Sequence, residues 1–531
     1  MHKDLEEDPA DAAARVLEAG WTGRYTVPAT GLYPHQWSWD SAFVAIGTRH
    51  REPARARAEL VTLLDAQWPD GRVPQIVYDV RRDDDYAPGA GFWGAGQVGA
   101  GAGGATRAGT AVTGPAGRTT SGLMQPPVHA WAAWLVHCAD PVGSAREGFL
   151  ARVYPRLARW HEYLHVRRAG GVGLPVTKHP WETGTDNSPL WDAALERVPP
   201  RSRTPVRRPD LRHAGTGERP GSRDYRRYYL LAETYRDAGC ADDVPVGFAM
   251  VCPLFSTLLA VSELALARMA AGLPDSGGDA RAGDQEPGEH EAAAARVVTT
   301  MDEHLWDDDL GLYVALDDTT GRTVRRATVN GLVPLLLAGG PARTGTSATA
   351  SGGAREATGA AASDKTEPLG TSGVAGSGRT NATTSGRRVD AATGTTAGTA
   401  ATVGSLLAAG RAERLLATLA GPGFLGGGPY LPSTSREDPA FDPALYWRGP
   451  AWFNMSWLLL RAVVPLGRDD LAARLRDHFA VAEPEGFPEY TDPDTGAGRG
   501  TRQFSWTASL TLDVLLSNET TTLPNPTPPP V

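Results

Sequence analysis

The feature that most constrains the fold is the recurrence of segments whose apolar residues are spaced as on one face of a helix. Strand-like alternation is confined to short pieces such as residues 312–316. Residues 10–19 follow Asp8 and Pro9 and end at Gly20, a typical pattern of helix start and stop. We therefore predict an all-α fold with helices at residues 10–19, 53–66, 128–136, 149–166, 224–238, 253–269, 291–305 and 452–464.

Several stretches between these segments contain almost no large apolar side chains. Such stretches cannot bury enough apolar surface to offset the entropy lost on ordering, so we predict loops or disordered low-complexity inserts. The remaining roughly 400 residues can form one domain, within residues 1–519, followed by a disordered Thr- and Pro-rich tail at 520–531. The predicted inserts are residues 94–122, 197–217, 274–289 and 339–401.

Charge and composition exclude several classes of protein. The 531 residues include 52 basic and 61 acidic side chains, and a net charge of −9 argues against binding to nucleic acid or to an acidic membrane surface. No run of about 18 uncharged apolar residues predicts a membrane span, and the acidic N-terminus lacks an export signal, so we expect a cytoplasmic protein. Its three cysteines are too scattered for a disulfide framework. The oligomeric state stays open, a homo-oligomer included.

Five loop segments place aromatic residues beside carboxylates. Sugar rings stack on Trp and Tyr, while Asp and Glu accept hydrogen bonds from sugar hydroxyls. Glycosidic cleavage needs two carboxyl groups, one protonated and one ionised. One such segment could be a helix cap or a packed loop, but five in one chain favour a carbohydrate-active enzyme. The segments are GLYPHQWSWDSAF (31–43), SGLMQPPVHAW (121–131), HPWETGTDNSPLWD (179–192), DPALYWRGPAWFN (442–454) and FPEYTDPDTG (487–496).

These segments resemble those of the mannosylglycerate/glucosylglycerate hydrolase group, which is similar to glycoside hydrolase family 63. The match is nearly letter by letter in Tyr-Pro-His-Gln-Trp-Ser-Trp-Asp-Ser and in Glu-Thr-Gly-Thr-Asp-Asn-Ser-Pro, and the resemblance runs from about residue 21 to residue 516. It implies an (α/α)6 barrel with the active site in loops at one mouth. It also implies an inverting reaction, in which water attacks the anomeric centre directly, without a metal or organic cofactor.

By this resemblance Asp186 matches the general acid. Trp181 and Trp191 flank it in sequence, and apolar surroundings would raise the pKa of a carboxyl group that must carry a proton. Two alternatives stay open: Asp186 as a helix N-cap, and Glu182 as the acid.

Glu489 matches the general base of the same group. Inverting enzymes hold the two carboxyl groups about 6.5–9.5 Å apart, so that a water molecule fits between them. The alternatives are that Glu489 is a surface carboxylate, or that Asp492 or Asp494 is the base.

Further residues match the sugar-binding positions of the group. An aspartate accepts hydrogen bonds from two neighbouring hydroxyls while indole rings form the walls, although each Trp could instead belong to the core. The predicted sugar-binding residues are Trp37, Trp39, Asp40, Trp181, Gly184, Tyr446, Trp447 and Trp452.

A glycerate aglycone carries a carboxylate, for which an arginine fork is the expected partner. Arg219, with Tyr225 six residues later, resembles the group's lid over glycerate, and Tyr33 and Gln125 match further contacts. Arginines are abundant from 197 to 227, so most must be solvated, and Arg223 is the alternative ligand.

One motif suggests a different class of protein. His161 and His165 enclose a glutamate in the His-Glu-x-x-His pattern of zinc peptidases, with Glu182 or Glu196 as a third ligand. We favour a solvated or hydrogen-bonded histidine pair, because the same helix carries an apolar stripe and no peptide cleft is indicated.

The sequence thus predicts an inverting glycosidase acting on an α-linked glucosyl- or mannosylglycerate, a small-molecule substrate. The alternatives are a hydrolase of another small α-glucoside or α-disaccharide, a sugar-binding protein without catalysis, and a zinc peptidase. No residue can be assigned to distinguishing glucose from mannose.

Overall fold

The computed structural model describes residues 8–94, 118–215, 217–273, 286–338, 406–407 and 409–517. All of these residues belong to one compact unit. The predicted insert at 339–401 and the tail at 520–531 lie outside the described residues, as do most of the inserts at 94–122 and 274–289. The prediction of one domain over residues 1–519 extends beyond the described residues and stays a prediction.

Helices make up most of the described chain, so the prediction of a helix-rich fold is confirmed. Each predicted helix forms, with ends that differ from the prediction by a few residues. The helices are α1 (Pro9–Gly20), α2 (Ser38–Thr48), α3 (Pro53–Leu64), α4 (Ala90–Gly94), α5 (His129–Ala139), α6 (Pro141–Arg146), α7 (Phe149–Val166), α8 (Asp192–Glu196), α9 (Ser222–Asp237), α10 (Pro253–Gly272), α11 (Pro287–His304), α12 (Ala409–Ala420), α13 (Phe453–Val463), α14 (Asp469–Ala480) and α15 (Ser505–Leu516).

Short strands in the segments between helices pair into small antiparallel sheets, so the fold is not purely helical. One sheet has the order β3-β4-β7-β8, and the pairs β1–β2, β5–β6 and β9–β10 are two-stranded. Gln36 pairs with Val77 just before α2 begins, and Tyr490 pairs with Arg499 just after Glu489. The strands are β1 (Gln36–Trp37), β2 (Ile76–Val77), β3 (Val176–Thr177), β4 (Met250–Val251), β5 (Trp306–Asp307), β6 (Leu312–Tyr313), β7 (Ala315–Asp317), β8 (Arg322–Val324), β9 (Tyr490–Thr491) and β10 (Gly498–Arg499).

The helix α2 was not predicted, and its burial explains why. Every residue of α2 is buried, because the helix packs against α3, α5 and α15. A helix enclosed on all sides has no polar face, so its sequence lacks the helical periodicity of apolar residues. The segment 31–43, which resembles the sugar-binding motif, therefore continues into a buried helix, and this helix fixes the position of the segment.

The helix α10 lies in the core, where it packs against α5, α7 and α11. Its length and composition would suffice to cross a membrane, but it carries Glu263 and Arg268, and 78% of its most apolar window is buried inside the protein. Burial against other helices accounts for this apolar composition.

The segment 197–217, predicted as a low-complexity insert, is described except at residue 216. It includes a 3₁₀ turn at Pro209–Arg212, and Asp210 in that turn is only 9% exposed. The carboxylate of Asp210 accepts two hydrogen bonds from Arg208, at 2.9 and 2.8 Å. Part of this segment is therefore packed against the folded protein and is not a featureless insert.

Candidate active site

One pocket brings together all but one of the residues predicted to act on or bind the substrate. The exception is Trp452. The predicted residues that line the pocket are Tyr33, Trp37, Trp39, Asp40, Gln125, Trp181, Gly184, Asp186, Arg219, Tyr225, Tyr446, Trp447 and Glu489.

Asp186 lies in a loop between the 3₁₀ turns Pro180–Thr183 and Pro189–Trp191. The Tyr228 hydroxyl donates to the Asp186 carbonyl at 3.0 Å, and Ser188 rather than Asp186 caps the second turn. Burial raises the pKa of the Asp186 carboxyl to about 7, although the positive charge of Arg219 opposes the shift. Around neutral pH a substantial fraction of Asp186 therefore carries a proton that it can donate.

Hydrogen bonds from three sides hold the Asp186 loop in place. Trp191 Nε1 donates to the Thr185 carbonyl at 2.7 Å, and Asn330 Nδ2 donates to Thr185 Oγ1 at 3.0 Å. Asn187 Nδ2 donates to the carbonyl of Tyr446 at 2.9 Å, which ties this loop to the opposite wall of the pocket. These bonds involve the residues on either side of Asp186, and its carboxyl group stays available to the pocket.

Glu489 is 1% exposed and is surrounded by hydrogen-bond donors. Its Oε1 accepts from the hydroxyls of Tyr33 at 3.1 Å and Tyr446 at 3.0 Å. Its Oε2 accepts from Arg219 Nη2 at 2.6 Å and, more weakly, from the backbone N–H of Thr501 at 3.4 Å. Donors on both oxygens stabilise the negative charge of a carboxylate. Asp186 and Glu489 thus have contrasting surroundings within one pocket.

The residues at the start of α2 form one wall of the pocket. Trp37 precedes the helix, and Trp39 and Asp40 lie in its first turn. Gln125 Oε1 accepts a hydrogen bond from the Trp39 backbone N–H at 3.2 Å, which joins this wall to the segment 121–131. Burial raises the pKa of Asp40 well above its usual range, and the nearby charge of Glu489 acts in the same direction.

Tyr446 and Trp447 form the opposite wall. Trp447 stacks on Trp452, with ring centroids 3.7 Å apart, and Trp452 stacks in turn on Tyr490 at 4.6 Å. Trp452 is 1% exposed and lies behind the wall, so the prediction that it contacts substrate does not agree with the structure. Trp452 lies in the same sequence segment as Tyr446 and Trp447, and closeness in sequence does not show which of the three rings faces the cavity.

Arg219 has a partner that the sequence did not suggest. Its Nη2 forms the ion pair with Glu489, its Nη1 donates to the Tyr33 hydroxyl at 3.1 Å, and its guanidinium lies 4.2 Å above the Tyr446 ring. Tyr225, in the first turns of α9, donates to Asp210 Oδ2 at 3.0 Å. Arg223, the alternative ligand, is exposed and does not line the pocket.

The alternative acid and bases have other partners. Glu182 is buried and accepts from Arg168 through both oxygens, each at 2.8 Å. Asp492 accepts from Arg499 at 2.8 Å, and Asp494, which is about half exposed, pairs with Arg436. None of the three carboxylates lines the pocket.

Tyr86, Asp210 and Trp506 are among the pocket residues that the sequence did not predict. Tyr86 stands edge-on to Trp37 at 5.0 Å, and Trp506 stands edge-on to Trp39 at 5.5 Å. The string Gln-Phe-Ser-Trp at 503–506 offered an aromatic signal, whereas Asp210 was obscured by the arginine-rich stretch around it.

Both histidines of the His-Glu-x-x-His motif on α7 contact a glutamate from α10. His161 Nδ1 and His165 Nε2 lie 2.9 and 2.7 Å from Glu263 Oε1, and His290 Nδ1 lies 2.6 Å from Glu263 Oε2. His165 and His290 are hydrogen-bonded to Glu263, and within the described ranges no cluster of three or more such side chains is arranged for a metal ion. The geometry gives the zinc peptidase alternative no support.

Comparison with known proteins adds independent findings. A family model described as the mannosylglycerate hydrolase MGH1-like glycoside hydrolase domain matches residues 33–363 and 376–507. A mannosylglycerate hydrolase of Rubrobacter radiotolerans is 33% identical over 527 residues, covering 96% of this chain and 97% of that protein. A glucosylglycerate hydrolase of Mycolicibacterium hassiacum is 31% identical over 537 residues, covering 97% of this chain and 100% of that protein.

A solved structure is similar over the same length. The crystal structure of the glycoside hydrolase family 63 mannosylglycerate hydrolase from Thermus thermophilus, in complex with Tris and D-glycerate, has a TM-score of 0.73 and 30% sequence identity. The match covers 96% of this chain and 100% of that chain.

Proposed function

The chain belongs to the MGH1-like glycoside hydrolase family and is a glycosidase, and we propose that it hydrolyses α-glucosylglycerate or α-mannosylglycerate with inversion. One observation carries the proposal: a carboxyl group with a raised pKa and a carboxylate held by donors line the same aromatic-walled pocket, beside a buried arginine. The relatives named for mannosylglycerate and for glucosylglycerate support the substrate class.

In this proposal Asp186 is the general acid and Glu489 the general base. Asp186 gives its proton to the glycosidic oxygen as the bond to the anomeric carbon breaks. Glu489 takes a proton from the water molecule that attacks the opposite face of the sugar ring. The contrast between the two environments supports this assignment, because an acid must be protonated and a base ionised at the same pH.

The sugar would bind between the two aromatic walls. Trp37, Trp39 and Trp447 offer ring faces and edges, and Asp40 offers acceptor oxygens to neighbouring hydroxyls. The glycerate carboxylate would bind to Arg219, with Tyr33, Gln125 and Tyr225 as further contacts. A buried arginine in a pocket otherwise suited to neutral sugar supports a charged aglycone.

We also propose that the helices form an (α/α)6 barrel with this pocket at one mouth. The helix-rich described chain and the similarity to the solved Thermus thermophilus enzyme support this architecture. All the pocket walls come from segments outside helices or from helix starts, as the architecture requires.

An α-disaccharide hydrolase is the second candidate, since the aromatic walls would suit two neutral sugars. The test is to incubate the enzyme with glucosylglycerate, mannosylglycerate, the neutral glucosylglycerol and a panel of α-disaccharides. Nuclear magnetic resonance of the first-formed sugar reports its anomer, and inversion of an α-glycoside gives the β-anomer. Faster turnover of a disaccharide than of either glucosylglycerate or mannosylglycerate would contradict the proposed substrate. Release of the α-anomer would contradict inversion.

A further inference from the structure

The carboxylate of Glu489 has no position left for a water molecule. A carboxylate offers about four acceptor positions on its two oxygens, and protein donors occupy two on Oε1 and two on Oε2. The backbone closes in as well, because a Cβ added to Gly500 would lie 2.6 Å from Oε2. A general base must accept a proton from water at one oxygen. One of the four donors therefore has to leave before Glu489 can act as the base.

Arg219 is the donor for which a substrate can compete. The two tyrosine hydroxyls and the Thr501 backbone N–H are neutral, whereas Arg219 is positively charged and an anion in the pocket attracts it. Its Nε is buried and has no hydrogen-bond partner among the described residues. The Nε–Nη2 edge of a guanidinium is one that a carboxylate can bind through two parallel hydrogen bonds. An anion bound there would share Nη2, the nitrogen now paired with Glu489, and its negative charge would draw the guanidinium away from Oε2.

We propose that Arg219 blocks Glu489 in the free enzyme and that the carboxylate of the aglycone withdraws it, so that the charged end of the substrate activates the general base. Arg219 is thus a positioning residue for catalysis as well as a ligand of the aglycone. The inference rests on the proposed function, because it needs a substrate that carries a carboxylate at this end. The place vacated at Oε2 receives the attacking water, whose proton passes to Oε2 while its oxygen bonds to the anomeric carbon. The departing glycosidic oxygen takes the proton of Asp186.

This mechanism makes a prediction that binding alone does not make. If Arg219 only held glycerate, a substrate without a carboxylate would bind weakly but turn over normally once bound. If Arg219 also blocks Glu489, such a substrate leaves the block in place and turns over slowly even at saturation. The charge of the aglycone then affects kcat as well as KM.

The test uses an α-glycosyl fluoride of the sugar that the enzyme accepts, because fluoride leaves without protonation and the substrate has no aglycone. Arg219→Met keeps an unbranched stem over Tyr446 and removes the charge. We expect kcat on the fluoride to rise about tenfold in this variant, since a charged hydrogen bond to the base is lost. Unchanged kcat would mean that Arg219 only binds glycerate, and decreased kcat would mean that it holds Glu489 in place; either result overturns the proposal.

The matched control is Arg325→Ala, which removes an arginine paired with Asp307 and Asp309 outside the pocket. Its kcat on the fluoride should equal that of the wild type. A second measurement needs no variant and so holds even where Arg219→Met does not fold. In the wild type, kcat on glycosylglycerol should be about tenfold below kcat on the matching glycosylglycerate, and equal values of kcat overturn the proposal.

These experiments separate the inference from the proposed function. A wild-type enzyme that hydrolyses neither glycosylglycerate contradicts the proposed function, and the fluoride assay still reports whether Arg219 restrains Glu489. An enzyme that hydrolyses a glycosylglycerate but shows no rise with Arg219→Met retains the function and loses the inference.

Discussion

The backbone of Gly184 lies directly against the indole ring of Trp39. A Cβ at residue 184 would lie 2.6 Å from Trp39 Cη2, and the φ of Gly184 is +76°, a conformation that favours glycine. This contact joins the Asp186 loop to the pocket wall at the start of α2. The position of the Asp186 loop relative to this wall therefore depends on the absence of a single methyl group.

Gly184→Ala should consequently impair catalysis and not only stability. The new methyl group must displace Trp39 or the loop, and an added strain of about 1–3 kcal/mol is expected from the left-handed φ. We expect kcat/KM to fall at least about tenfold, because small misplacements of reacting groups are costly. Thermal unfolding and steady-state kinetics measure the two effects.

The control for this variant is Gly173→Ala. Gly173 has a φ of +82° but no atom within 4 Å of an added Cβ, so this change brings the backbone strain without the collision. It should lower the melting temperature and leave kcat/KM close to that of the wild type. Equal kinetic losses in both variants would show that strain, and not contact with Trp39, is responsible.

Asp186→Asn and Glu489→Gln should separate the acid from the base. Each should lower turnover of a glycosylglycerate at least about a hundredfold, the usual scale for proton-transfer catalysis. On an α-glycosyl fluoride Asp186→Asn should retain far more activity, because fluoride needs no proton to leave, whereas Glu489→Gln should stay inactive. Asp494→Asn, at the alternative base that does not line the pocket, is the control and should behave as the wild type. An equal loss on both substrates in Asp186→Asn would falsify its assignment as the acid.

The pH dependence of the reaction should report the protonation of Asp186. Its pKa is raised to about 7, and only the protonated form donates, so kcat/KM should fall as the pH rises through about 7. The positive charge of Arg219 lowers this pKa, so Arg219→Met should move the decline to higher pH. The α-glycosyl fluoride serves as the control substrate, because its hydrolysis needs no acid and should lack this decline. A decline at the same pH in Arg219→Met and wild type would show that the titrating group is not Asp186.

Trp447 and Trp452 stack on each other, yet their substitution should have different consequences. Trp447 lines the pocket and Trp452 lies behind it. Trp447→Leu should mainly raise KM. Trp452→Leu should mainly lower stability, by about 2–5 kcal/mol for a large-to-small change in the core. Denaturant unfolding and KM, measured on both variants, distinguish the two roles. A larger increase in KM for Trp452→Leu than for Trp447→Leu would indicate that Trp452 binds substrate.

The candidate site was predictable where its residues share short strings. The segments 31–43 and 179–192 each bring several site residues together within a few positions of the chain, so their pattern is visible without a structure. The helix α7, which has one polar face, was equally visible. The enclosed helix α2 was not, because complete burial removes the periodicity on which the prediction depends.

The partners of the site residues could not be predicted in the same way. Arg219 and Glu489 are 270 positions apart, and nothing near either residue indicates the other. Asp210 lies in an arginine-rich stretch, and the composition of that stretch does not indicate that Asp210 accepts a hydrogen bond from Tyr225. Contacts between distant segments depend on how the helices pack, and the hydrogen bonds from Tyr33, Arg219 and Tyr446 to Glu489 are contacts of this kind.

The last prediction concerns residues 339–401, whose composition cannot support a core. The described residues on either side are adjacent, because the backbone N–H groups of Leu406 and Leu407 donate to the Leu337 carbonyl at 3.2 and 3.3 Å. Deleting residues 339–401 leaves 402–405 as a short connection, and we expect kcat and KM to stay within about twofold of the wild type. The control replaces the segment by a Gly/Ser sequence of equal length. Activity in the control but not in the deletion would mean that the length is needed, and inactivity of both would mean that the segment contributes its own side chains to the folded enzyme.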